Sequence, residues 1–197
     1  MNNLFKKAIS FYHNKEIDKA EKVCVDILEM QPNNFDATSL LGVIYFQNKD
    51  YKKSIRFFNK ALEINSNSPN LYNNLAIALL HINKPREAII SWDKATKTKP
   101  DYAEAFFNKG NVYSDLKDYP NAIENYELAI KKKENYKQAY NNLGSLYAEL
   151  KNFNKALEIF KKATSIEPPN ENEYNNLGNI YFELKEFDKS IKNYNLA

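Results

Sequence analysis

Residues 140–168 read YNNLGSLYAELKNFNKALEIFKKATSIEP. Two adjacent asparagines, Asn141 and Asn142, sit where their neighbours ask for a helix, although the short Asn amide competes for nearby backbone groups and disfavours helix interiors. Tyr140, Leu143, Gly144 and Tyr147 are spaced by threes and fours, which places them on one helical face. Ala156, Phe160 and Ala163 do the same for a second helix, and Pro168 stops it. The stretch is a helical hairpin. Its opening recurs as YNNLA at 72–76 and YNNLG at 174–178.

The recurrence has a fixed period of 34. Rows beginning at Met1, Phe35, Pro69, Ala103, Lys137 and Glu171 align the whole chain without a gap. Column 8 then reads Ala8, Gly42, Ala76, Gly110, Gly144, Gly178 and contains all 4 glycines of the chain. Column 20 (Ala20, Ser54, Ala88, Ala122, Ala156, Ser190) and column 27, mostly alanine, are also small, whereas column 24 (Cys24, Phe58, Trp92, Tyr126, Phe160, Tyr194) is mostly aromatic. Small columns opposite large ones let two helix backbones approach while rings fill the remaining space. Pro32, Pro100 and Pro168 share column 32, just past the second helix, and Pro85 and Pro120 fall at its start, where a missing N–H is tolerated. The expected organisation is one array over 1–197, with repeats 1–34, 35–68, 69–102, 103–136, 137–170 and a partial 171–197.

Tyr140, Leu143, Gly144, Tyr147, Ala156, Phe160, Ala163 and Pro168 resemble the tetratricopeptide signature, and the resemblance runs through all six rows. It implies an all-α fold, a right-handed superhelical α-solenoid of antiparallel helix pairs, with the first helix of each pair lining the concave side. Two departures stand out. Column 15 carries Lys15, Lys49, Asn83, Lys117, Lys151 and Lys185 where the family often has Gly, so the turn is expected to hold a non-Gly residue in a costly conformation. Lys7 stands where Leu is usual, as suits a first, half-exposed repeat.

Columns 2, 6, 9 and 13 form a stripe turned away from the apolar face and expected to be exposed. Column 6 reads Lys6, Leu40, Asn74, Asn108, Asn142, Asn176; column 9 adds Asn111 and Asn179, and column 5 adds Asn141 and Asn175. An Asn amide offers one acceptor and two donors, the groups that hold an extended peptide main chain without regard to its side chains. With 29 asparagines, composition alone can scatter this residue widely, but four consecutive rows matching in one column favour a binding role. The column resembles the concave asparagine ladder in the repeat arm of O-GlcNAc transferases, which implies contact between Asn74, Asn108, Asn142, Asn176 and a peptide backbone. The opening rows also look like the start of Spindly-type glycosyltransferases, through Ala20-Glu21, Ile27-Leu28, Pro32, Asp36-Ala37 and Leu40-Leu41-Gly42.

The sequence supports three readings: a non-catalytic module binding extended polypeptide, the substrate arm of a glycosyltransferase, and an assembly scaffold. The sixth row stops inside its second helix, so a catalytic domain beyond Ala197 is expected under the second. The stripe is also graded. Columns 9 and 12 are apolar in rows 1 to 3 (Ile9, Val43, Ile77; Tyr12, Phe46, Leu80), whereas rows 4 to 6 offer Asn, Ser and the acids Asp115, Glu149 and Glu183. Either a partner lays apolar groups on the first half and backbone or basic groups on the second, or the apolar residues pack neighbouring helices. A carboxylate clamp of the kind that holds chaperone tails is not expected, because Phe107, Asn172 and Asn176 stand where its cations belong.

Other chemistry is excluded more directly. A net charge of +3 gives no overall field for nucleic acid, and Lys131-Lys132-Lys133 reads as a solvated helix end. No apolar run of about 18 residues or signal-peptide pattern is present, so a soluble, cytoplasmic protein is expected. Cys24 occupies a core column, His13 and His81 lie two repeats apart, and each glycine sits inside a helix rather than in a phosphate-binding loop. The chain is expected to be no enzyme and to need no cofactor or metal, with a protein or peptide in extended conformation as its partner.

Overall fold

In the computed structural model, which describes residues 2–197, every helix falls where the 34-residue register puts it. Six hairpins follow one another: α1 (Asn2–His13) with α2 (Ile17–Met30), α3 (Phe35–Gln47) with α4 (Tyr51–Ile64), α5 (Pro69–His81) with α6 (Pro85–Thr98), α7 (Ala103–Asp115) with α8 (Tyr119–Lys132), α9 (Lys137–Glu149) with α10 (Phe153–Ile166), and α11 (Glu171–Glu183) with α12 (Phe187–Tyr194). The described residues contain no strand, and the fold class is an all-α solenoid of helix pairs. The chain divides into two compact units, Met1–Pro100 and Asp101–Ala197. No helix among the described residues is long and apolar enough to cross a membrane.

Each hairpin turns in the same way. The column 15 residue adopts positive φ in all six repeats, between 56° at Lys151 and 62° at Lys185, as the sequence anticipates. That conformation lets the following amide reach back across the turn, as in Asp50 N–H to Tyr45 C=O (2.9 Å) and Asn152 N–H to Tyr147 C=O (2.8 Å). These bonds satisfy carbonyls that the end of the first helix would otherwise leave open. Asp50, Asp118 and Asn152 then cap the second helix by accepting from the backbone N–H three residues on.

The glycine column explains the pairing inside a hairpin. Gly42, Gly110, Gly144 and Gly178 lie directly against the rings of Phe58, Tyr126, Phe160 and Tyr194, with no room for a β-carbon. Where column 8 is Ala, column 24 differs too: Ala8 goes with the small Cys24, and Ala76 with Trp92, whose indole N–H donates to Asn73 Oδ1 (2.8 Å). Ser54 and Ser190 use the close approach differently, their hydroxyls donating to the Gly42 and Gly178 carbonyls at 2.8 and 2.9 Å.

Packing between hairpins uses columns 3, 7 and 10 of the first helix. Ala37, Leu41 and Ile44 on α3 are buried with Ala20, Val23, Cys24 and Ile27 of α2. The same columns of α1 are Asn3, Lys7 and Ser10, all exposed. The stripe expected to be exposed departs from that expectation at column 6 and at column 9, where Val43, Ile77 and Asn111 are half-buried and only Ser145 and Asn179 are exposed. Columns 2 and 13 of the first helices from α3 onward are exposed, but the four column 6 asparagines are half-buried and Leu40 is only 7 % exposed. Within each unit, column 6 of one first helix meets column 9 of the first helix before it, as Asn142 of α9 meets Asn111 of α7 and Asn74 of α5 meets Val43 of α3.

Candidate functional site

Within each unit, adjacent first helices leave a shallow seat between them, bounded by columns 9 and 12 of one helix and 6 and 9 of the next, with a column 24 ring at its base. In the first unit this seat has a volume of about 150 Å³ and is lined by Val43 and Phe46 of α3, Phe58 of α4, and Asn74 and Ile77 of α5. Asn74 is its one polar residue. In the second unit the corresponding seat, about 350 Å³, is lined by Asn111, Ser114 and Asp115 of α7, Tyr126 of α8, and Asn142, Ser145, Leu146 and Glu149 of α9. The geometry repeats while the chemistry changes from apolar to polar.

Hydrogen bonds organise the polar seat. Asn142 Nδ2 donates to Asn111 Oδ1 at 2.8 Å, and the Tyr126 hydroxyl donates to the same oxygen at 2.9 Å. The Tyr126 phenol is pushed up from its ordinary value, by burial first and by the Asp115 charge, against the pull of bonds with Asn142 and Ser114. It therefore stays a neutral donor. With Asn111 Oδ1 taken twice, the Asn111 Nδ2 donors and the Asn142 Oδ1 acceptor have no protein partner among the described residues, and both stand at the seat. At its rim, Glu149 accepts from Tyr119 OH (2.6 Å) and Lys117 Nζ (3.1 Å), which hold its carboxyl below the usual range.

The remaining sequence-predicted residues have varied surroundings. Asn108 and Asn176 are half-buried on α7 and α11, and Asn175 is half-buried beside Asn176. Asn179 accepts from Tyr194 OH at 2.7 Å, the counterpart of the Asn111–Tyr126 bond. Asn141 turns away from its neighbour Asn142 and donates to the buried carboxylate of Glu173, which also pairs with Lys137 at 2.9 Å. Sequence reading missed Tyr126 and Glu173, and a signal existed for each. The two rows with an Asn at column 9 (Asn111, Asn179) are the two with a Tyr at column 24 (Tyr126, Tyr194), and Glu173 is the one acid in column 3. Cys24 is buried, and burial, with the Glu21 charge, pushes its thiol up to about 12, so it is unreactive as a nucleophile.

Comparison with known proteins reproduces the repeat boundaries of two rows, 103–136 and 137–170. Models of the tetratricopeptide repeat match residues 103–136, 137–170 and 174–197. A model described as anaphase-promoting complex, cyclosome, subunit 3 matches residues 13–95. No curated protein matches the sequence. Among solved structures, MamA superimposes with a TM-score of 0.77 at 26% identity, covering 81% of this chain and 93% of its own. PilF of Pseudomonas aeruginosa gives a TM-score of 0.80 at 17% identity, covering 98% and 87%. YrrB, described as a TPR protein with an unusual peptide-binding site, gives 0.72 at 22% identity, covering 93% and 90%.

Proposed function

The chain belongs to the tetratricopeptide-repeat family and is a protein-interaction or scaffold module, and we propose that it binds extended polypeptide, without catalysis and in the cytoplasm, through its column 6 amides. The observation that carries this reading is the pair of unused groups at the polar seat. Asn111 Nδ2 can donate to a peptide carbonyl, and Asn142 Oδ1 can accept from a peptide N–H, so one residue of guest main chain is matched on both sides. Asn74 offers the same amide to a guest above an apolar floor, and Asn108 and Asn176 occupy the same column on α7 and α11.

Peptides selected from a random dodecapeptide display library test the reading. Asn142→Ala is expected to weaken their binding about tenfold, the worth of one or two hydrogen bonds, while far-UV circular dichroism stays unchanged. Unaltered affinity in both Asn142→Ala and Asn108→Ala would remove the amides from the account. The four-row amide column also favours a second reading, the substrate arm of a glycosyltransferase. Release of UDP from UDP-GlcNAc by the full-length gene product, dependent on added peptide, would support it.

A further inference from the structure

The polar seat is equipped for more than main-chain recognition, and any choice it makes among guest side chains rests on the peptide binding proposed for the chain. Among its lining residues are two carboxylates and no cation. Glu149 is already engaged by Lys117 and Tyr119. Asp115 is exposed and has no ion-pair or hydrogen-bond partner among the described residues. Beside it lie the Leu146 side chain and the Tyr126 ring, an apolar floor suited to the methylene stem of a long cationic side chain.

The first unit supplies an internal control. Its seat has the same columns and the same amide, Asn74, but Val43, Phe46 and Ile77 stand where Asn111, Ser114 and Ser145 stand here. At column 13, Gln47 and His81 replace Asp115 and Glu149. The negative charge is thus a property of the first helices of the second unit (Asp115, Glu149, Glu183) rather than of every repeat, and Asp115 brings its unpaired share to the seat between α7 and α9. We propose that this seat selects a lysine or arginine side chain on an extended peptide, with Asp115 as its counter-ion and the Asn111 and Asn142 amides on the flanking main chain.

Three fluorescein-labelled dodecapeptides of Ser, Gly and Thr, differing only in a central Lys, norleucine or Glu, test this by fluorescence anisotropy with the intact chain. The Lys peptide is expected to bind up to about fivefold more tightly than the norleucine peptide, the range of a single exposed ion pair, with the Glu peptide weakest. Asp115→Asn should bring the Lys peptide down to the norleucine value and leave the norleucine peptide unchanged, and 0.5 M salt, roughly a 4 Å screening length, should do the same to the wild type. Equal affinities for Lys and norleucine, or a Lys preference that survives Asp115→Asn, would overturn the charge selection while peptide binding itself stands. Failure of all three peptides to shift the Asn111 and Asn142 side-chain amide signals in nitrogen-15 spectra would overturn both readings.

Discussion

A β-carbon added to Gly42 would lie 2.4 Å from Cδ1 of Phe58, and one added to Gly144 would lie 2.9 Å from Cε1 of Phe160. Both rings are buried, so admitting the extra carbon requires a ring to shift among its neighbours. Gly42→Ala is therefore expected to cost about 1–3 kcal/mol by overpacking, read from the urea midpoint. Adding Phe58→Leu should recover part of the loss, because the clash is with the ring and the two changes share one contact. Lys49 presents the opposite case. Its φ of 60° disfavours a side chain, so Lys49→Gly should raise stability by up to about 1 kcal/mol, with the greater freedom of unfolded glycine limiting the gain. Both features were legible in the sequence, one as a column of glycines and the other as a column lacking them. The candidate site was less so. Register assigns Asn141 and Asn142 to faces of a helix, but which atoms are already bonded depends on partners 31 and 32 residues away.

At the scale of elements, the 34-residue register located helices and turns because helix ends, prolines and apolar spacing all repeat in phase. The junction between α9 and α11 was not legible, since lysine and glutamate are ordinarily read as solvated. Glu173 is 3 % exposed, pairs with Lys137, accepts from Asn141, and completes a capping box with Asn170. Lys137 also donates to the Pro168 carbonyl at 3.1 Å. Burial pushes the Glu173 carboxyl up, but the bonds from Lys137, Asn141 and the Asn170 backbone outweigh it and hold the group below its usual value of 4.5. A depressed folded value means the stabilisation is present above about pH 4.5 and lost as pH falls through the folded value. Glu173→Gln should cost about 2 kcal/mol at pH 7 by leaving Lys137 without its buried partner. Thermal melts followed by circular dichroism between pH 6 and 3 check the linkage, and the variant should lose less stability over that interval than the wild type.

Across the whole molecule, stability in a stacked array is close to a sum of hairpin terms and nearest-neighbour terms. The column 24 side chains show how large the neighbour term is. Cys24, Phe58, Trp92, Tyr126 and Phe160 are no more than 2 % exposed, whereas Tyr194 is 41 % exposed. Phe182, Phe187 and Ile191 of the same hairpin are exposed as well. Among the described residues, α11 and α12 are held by the α9–α10 surface and by the Lys137–Glu173 junction. Within the second unit, amides of α12 are therefore expected to exchange hydrogen fastest and those of α9 and α10 slowest, since the latter are flanked on both sides. Lys137→Met should sharpen that gradient by accelerating exchange in α11 and α12 while leaving α7 unchanged. Uniform protection across the three hairpins of the unit would mean that it opens as one cooperative block, and the nearest-neighbour account would not hold for it.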